Sequence, residues 1–224
     1  MLKMIARLLH APFDFFQLKL LFFQKDKRLV DIVKLVKREV KKEGDGETSF
    51  FNTEAFQILC CAIAARKLSG DYAEVGVFKG ASAKLICEVK GNHSLFLFDT
   101  FEGLPEPGIF DKKLKSKRFA SDLEWVKKYL NSYQSVYFYK GMFPETARGI
   151  EDKTFAFVHL DVDFYQSTLD GLKFFYPRLV RGGMILTHDY PHLSGVKRAF
   201  DEFFIDKPEA IIELSTCQAL IVKQ

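Results

Sequence analysis

The chain has 224 residues, 48% of them apolar and 28% charged, and a formal net charge of +4. That length fits one domain with a sizeable core, or a domain plus a short appendage, and the composition is that of a soluble globular protein. The charge is small and no Lys/Arg stripe interleaves with aromatic residues, which argues against nucleic-acid binding.

The first stretch, Met1 to Phe23, is basic and apolar but is interrupted by His10, Asp14, Gln17 and Lys19. Its longest apolar run, Leu20 to Phe23, falls far short of the ~20 residues of a spanning helix or of a signal sequence's apolar region. It reads as a helical lid or a dimer arm, the latter making the chain a homo-oligomer. The alternative is an interfacial helix resting on anionic lipid. Residues 1–50 read as a helical arm or lid whose apolar face carries Leu29, Ile32, Val33, Leu35 and Val36. The charged, Gly-containing break at Lys41 to Glu47 is the linker candidate, and residues 51–224 form the main domain. Asn52 or Thr53 then caps a helix that carries Phe56, Ile58, Leu59, Ile63 and Leu68 and ends at Gly70.

Tyr72 to Ser82 reads as a short buried strand, a tight turn at Gly76 to Gly80 and a helix start, with Ala83, Leu85, Ile86 and Val89 at helical spacing. The two glycines sit where the chain must turn and where a ligand needs room. Ser94 to Asp99 is a second strand. Thr100 to Ala120 is a loop whose basic cluster, Lys112, Lys113, Lys115, Lys117 and Arg118, reads as a solvated face. Ser121 or Asp122 caps a helix to Leu130, and Val136 to Tyr139 and Phe155 to Asp161 are strands. Ser167 to Tyr176 is a helix stopped by Pro177. Gly182 to Asp189 is a fifth strand, followed by a helix through Val196, Ala199, Phe200 and Phe203. Ala210 to Leu214 and Ala219 to Val222 close the chain as a hairpin. The fold expected is therefore α/β, Rossmann-like, with a mostly parallel seven-stranded sheet and a C-terminal antiparallel hairpin. Cys60, Cys61, Cys87 and Cys217 lack C-x-x-C spacing, which suggests reduced thiols in a cytoplasm.

Three strands end in acids: Asp99, Asp161 (with Asp163) and Asp189. In an open α/β sheet such ends line the crevice that binds ligands, and Asp99 stands where nucleoside sites grip a ribose diol. The turn Glu74-x-Gly76-x-x-x-Gly80 lacks the three glycines that a pyrophosphate requires. It therefore disfavours NAD and fits S-adenosylmethionine, with Glu74 available to the turn or to the cofactor's ammonium.

Further blocks follow in order. They are Phe98-Asp99-Thr100-Phe101-Glu102-Gly103-Leu104-Pro105, Lys140-Gly141-Met142-Phe143-Pro144-Glu145-Thr146, Leu160-Asp161-Val162-Asp163-Phe164-Tyr165-Gln166-Ser167-Thr168, Tyr176-Pro177-Arg178-Leu179 with Gly182-Gly183, and His188-Asp189-Tyr190 with Gly195-Val196. With Glu74 to Gly80 they resemble the macrocin O-methyltransferase (TylF-like) family across residues 70–224. The resemblance implies a class I S-adenosylmethionine fold, a divalent metal and methylation of a hydroxyl, often on a sugar of a glycosylated natural product. On it the cofactor-binding residues are Glu74, Gly76, Gly80, Ser82, Asp99, Thr100, Phe101 and Asp161. The metal ligands are Asp161, His188 and Asp189.

His188 departs from the family, which has an acid there. Mg²⁺ prefers oxygen ligands, whereas imidazole favours Mn²⁺, Fe²⁺ or Zn²⁺. A bound metal lowers the acceptor hydroxyl's pKa, and a base takes the proton: Asp161 by the family's pattern, His188 as the alternative. Competing readings are a catalytically silent binding protein of the same fold and a nucleotide-cofactor oxidoreductase, the latter disfavoured by the glycine turn.

Overall fold

The computed structural model describes residues 26–42, 52–111 and 114–224. Met1 to Phe23, the part of the linker at 43–47, and Lys112 and Lys113 lie outside those residues. Five strands are parallel: β1 (Asp71–Val75), β2 (Leu95–Asp99), β3 (Val136–Lys140), β4 (Phe155–Leu160) and β5 (Leu179–Thr187). β6 (Ile212–Glu213) and β7 (Ala219–Val222) complete a seven-stranded sheet in the order β3-β2-β1-β4-β5-β7-β6. β7 runs antiparallel to both β5 and β6, so it alone is reversed, as the hairpin reading requires.

Alternation along the strands, interrupted in β4 between Phe155 and Phe157, assigns side chains to two cores. Tyr72, Leu95, Leu97 and Phe157 face helices α1 (Lys27–Lys42), α2 (Asn52–Ala65) and α3 (Ala81–Val89). Ala73, Phe96, Phe98, Phe155 and Val158 face α5 (Tyr165–Phe175) and α6 (Ser194–Phe204). Between α3 and α5 in the chain lies α4 (Leu123–Tyr129), capped by Asp122, whose Oδ1 accepts from Glu124 N at 2.9 Å. Phe98, Phe155, Phe157, Phe175 and Phe200 are fully buried, each stabilising the fold by about 1.5–3 kcal/mol. Much of the Phe among the described residues is therefore core. α1 buries Val30, Val33, Val36 and Val40 in the first core and leaves Lys27, Arg28, Lys34 and Arg38 exposed. No helix among the described residues is long and apolar enough to cross a membrane.

Boundaries differ from the sequence reading where glycine and proline were taken as punctuation. β5 begins at Leu179, not Gly182. The register against β4 jumps from Phe155↔Leu179 to Phe157↔Met184, so Gly182 (φ +80) and Gly183 sit inside an irregularity of the strand. α5 starts at Tyr165 and gives way to a 3₁₀ turn, Tyr176–Arg178, that contains Pro177 near its start, where no N–H is needed. β6 is only two residues long.

Candidate active site

β1, β2 and β4 end side by side at one edge of the sheet, and Gly76 N donates to Phe98 O while Asp161 N donates to Val75 O, both at 2.9 Å. The turn after β1 is held by Asp99. Its Oδ2 accepts from Val77 N at 2.7 Å and Phe78 N at 2.8 Å, and its Oδ1 from Phe101 N at 2.7 Å. Charge-assisted bonds of this kind are among the stronger ones, and they hold Phe78 at φ 48 and Phe101 at φ 58. The two glycines owe their presence to packing between protein segments. A Cβ on Gly76 (φ +88) would lie 1.8 Å from Asp161 O, and one on Gly80 (φ +73) 2.9 Å from Val126 Cγ1. Packing thus demands glycine at both positions, beside the expected room for a ligand; Gly76 also lines a cavity at this edge and Gly80 does not.

The loop from Thr100 to Ser121 crosses this edge as a strap. Leu104 N donates to Arg118 O and Lys117 N to Leu104 O, each at 2.8 Å, and Ser121 Oγ reaches back to Phe78 O at 2.6 Å. At the far end Asp111 Oδ1 accepts from Tyr165 N at 2.9 Å, which satisfies the first turn of α5. Phe110 packs edge-on against Tyr165 and lies under Arg198. Gly195 is required here, because a Cβ would fall 2.0 Å from Asp111 Oδ1.

Beneath the strap lies a cavity of about 490 Å³, within the usual range for small-molecule and cofactor sites. Of the residues singled out in sequence, Gly76, Ser82, Asp99, Thr100, Asp161, His188 and Asp189 line it. Glu74, Gly80 and Phe101 do not. Glu74 is fully buried within β1, opposite His159 of β4, whose Nδ1 is 2.8 Å from Glu74 Oε1. Burial pushes the Glu74 carboxyl up, against the lowering effect of that bond. Glu74 Oε2 and His159 Nε2 have no hydrogen-bond partner among the described residues. The cavity wall also includes Arg118, Phe119, Met142, Phe143 and Asp163. Arg118, read as part of a solvated face, is exposed and also lines the cavity. Nothing in its local spacing distinguishes it from Lys115 or Lys117.

The floor concentrates acids around one imidazole. His188 Nδ1 is 3.0 Å from Asp189 Oδ2 and 3.4 Å from Asp161 Oδ1, and Nε2 is 3.4 Å from Glu54 Oε2. Burial alone would lower the His188 pKa, but Asp161, Asp189, Cys217 and Glu54 together raise it well above the ordinary 6.5. Burial raises Asp161. Burial, then the charges of Asp161 and Asp189, raise Asp163 further, and its hydrogen bond with Asp189 adds to the rise. Burial also opposes ionisation of Asp189, yet the bonds from His188 and Asp163 keep it below the usual carboxylate range. Carboxylates this close cannot all ionise without positive charge among them.

Asp161, His188 and Asp189 each present one ligand atom, all within 4.8 Å of one another. Two oxygens and one imidazole nitrogen form a donor set that fits a divalent cation tolerant of nitrogen. The excess of acids over the single imidazole is a second reason the set fits.

The chain matches the profile of the Macrocin-O-methyltransferase (TylF) family over residues 53–212. It is 31% identical over 145 residues to the 8-demethyl-8-(2,3-dimethoxy-alpha-L-rhamnosyl)-tetracenomycin-C 4'-O-methyltransferase of Streptomyces olivaceus, covering 57% of this chain and 56% of that one. It is 28% identical over 158 residues to the demethyldecarbamoylnovobiocin O-methyltransferase of Streptomyces niveus, covering 63% and 60%. The matched regions thus span less than two thirds of either relative. Among solved structures, the O-methyltransferase NovP superposes with a TM-score of 0.76 at 23% identity, over 88% of this chain and 98% of that one.

Proposed function

We propose that this chain, which belongs to the Macrocin-O-methyltransferase (TylF) family, transfers the methyl group of S-adenosylmethionine to a hydroxyl of a small molecule, a sugar or a glycosylated natural product. The observation that carries the reading is one cavity with two chemically distinct walls. One wall is the turn pinned by Asp99, with Thr100 and Ser82 beside it, and it suits a nucleoside-type cofactor that has no pyrophosphate. The other is the acid floor around His188. Leu104, Phe119, Met142 and Phe143 supply apolar surface for a compact acceptor.

S-Adenosylmethionine, when bound, supplies a methyl group already activated as a sulfonium, so the protein's task is to orient the hydroxyl and take its proton. Asp161 is the base this reading favours. Its carboxylate is on the cavity wall, and burial raises its affinity for a proton. Asp189 is less suited, because its pKa is lowered. Asp161, His188 Nδ1 and Asp189 would hold a divalent ion, Mg²⁺ or Mn²⁺, with the imidazole favouring Mn²⁺. Such an ion lowers the pKa of a coordinated hydroxyl. Asp163 and Glu54 then keep Asp189 and His188 in place.

The test is methyl transfer from S-adenosylmethionine to a panel of glycosides, in Mg²⁺, in Mn²⁺ and with chelator. Calorimetry with S-adenosylmethionine and NAD runs in parallel. Asp161→Asn should cut turnover by about 10²–10⁴-fold. NAD binding without S-adenosylmethionine binding would overturn the assignment, and full turnover by Asp161→Asn would remove the base.

A further inference from the structure

His188 turns only one of its two ring nitrogens toward Asp161 and Asp189. The other, Nε2, looks away from them at a second set of partners, Cys217 Sγ at 3.1 Å and Glu54 Oε2 at 3.4 Å. Neither partner lines the cavity. Glu54 stands in the first turn of α2 and is 3% exposed, and Cys217 lies in the turn between β6 and β7 and is 7% exposed. The directions of these bonds are fixed by what each atom can do. The Cys217 thiol donates to Glu54 Oε1 at 3.0 Å, so its sulfur lone pairs and Glu54 Oε2 remain as acceptors. Two acceptors facing one imidazole nitrogen favour a proton on that nitrogen. Nδ1 also faces two carboxylates, so without a metal both nitrogens carry protons, and the one on Nε2 is the one that remains when Nδ1 gives its proton up.

We propose that Glu54 and Cys217 are positioning residues that hold a proton on His188 Nε2, so that His188 addresses Asp161 and Asp189 through Nδ1 alone. An imidazole orients by the hydrogen bond its second nitrogen makes, and such outer partners set which nitrogen is free to ligate or to exchange a proton. Glu54 has this use only because residue 188 is a histidine. An acid there would put a second carboxylate, and no imidazole N–H, opposite Glu54 Oε2. The inference rests on the methyltransferase reading only for what Nδ1 then does.

The test is long-range ¹H–¹⁵N correlation on full-length protein with ¹⁵N-labelled histidine, recorded without cofactor, acceptor or metal. The chain has five histidines, and His188 is identified by the signals lost in His188→Gln. Wild type should show a slowly exchanging proton on Nε2. Cys217→Ser should keep it, since a hydroxyl also donates and accepts. Glu54→Ala and Cys217→Ala should lose it or make it exchange rapidly, leaving the slowly exchanging proton on Nδ1 alone. A wild-type proton found on Nδ1 with a bare Nε2 would overturn the proposal, as would unchanged His188 signals in a folded Glu54→Ala protein. Failure to bind S-adenosylmethionine would count against the proposed function and leave this result standing.

Discussion

Replacing Asp99 separates two roles that coincide at the cavity wall. Its carboxylate takes three backbone N–H groups, from Val77, Phe78 and Phe101. In Asp99→Asn the amide oxygen keeps the Val77 and Phe78 side, while the NH₂ group faces the Phe101 N–H, donor against donor. One bond to a charged acceptor is lost, about 1.5–3 kcal/mol. For a chain of this size that lowers the melting midpoint by roughly 3–12 °C. Asp99→Ala gives up all three bonds and should cost more, less whatever entering water restores at this half-buried position. Affinity for S-adenosylmethionine should fall about ten- to over a hundredfold, because the turn that meets the cofactor loses its anchor. Differential scanning fluorimetry of the ligand-free protein and calorimetry with the cofactor read the two effects separately. A residue that only gripped a ribose would lose affinity and leave the ligand-free midpoint unchanged. An unmoved midpoint in Asp99→Ala would therefore refute the anchoring role, and unmoved affinity would remove Asp99 from the site.

Gly76→Ala should destabilise the fold by more than the ~1–2 kcal/mol of a left-handed backbone, since its Cβ would also overlap Asp161 O. Wild-type stability in urea would show that β1 and β4 can separate freely. Glu209 accepts from Tyr176 Oη at 2.6 Å and Gln224 N at 3.2 Å, which, against its burial, hold its pKa below the ordinary 4.5. The stability this contributes is present above the unfolded-state pKa and is lost as pH falls through the lower folded value. The wild-type melting midpoint should thus drop more steeply than that of Glu209→Gln as the solution is acidified below about pH 5, and parallel curves would refute it. His188→Asp should destabilise the protein by placing a second acid beside Glu54, and adding Glu54→Gln should recover much of the loss and shift metal preference from Mn²⁺ toward Mg²⁺. Additive losses in a double-mutant cycle would show that the two positions are uncoupled.

The strands and the acidic edge were legible because they depend on local pattern. Runs such as Leu95 to Phe98 are apolar enough to be buried on both faces, and an acid at the end of such a run falls at the carboxyl edge. Glycines were harder to read. Gly182 and Gly183 look like a turn and form a strand irregularity, and Gly76, read as ligand clearance, also serves the approach of Asp161 O. What glycine permits is visible in sequence, but which neighbour requires it is not. The strap shows the same limit, because Asp111 meets Tyr165 across 54 residues and no spacing rule connects them.

His188 marks where pattern reading stops and packing takes over. In sequence it is one residue that differs from a family's acid, and a lost site would leave the same trace. In the fold its Nδ1 keeps company with Asp161 and Asp189, while Glu54 and Cys217, 163 residues apart in the chain, converge on Nε2. Two buried carboxylates face to face are costly, so Glu54 sits less well opposite an aspartate than opposite an imidazole N–H. The pair on Nε2 thus fits an imidazole at residue 188 turned toward Asp161 and Asp189 through Nδ1, the arrangement on which the proposed site depends.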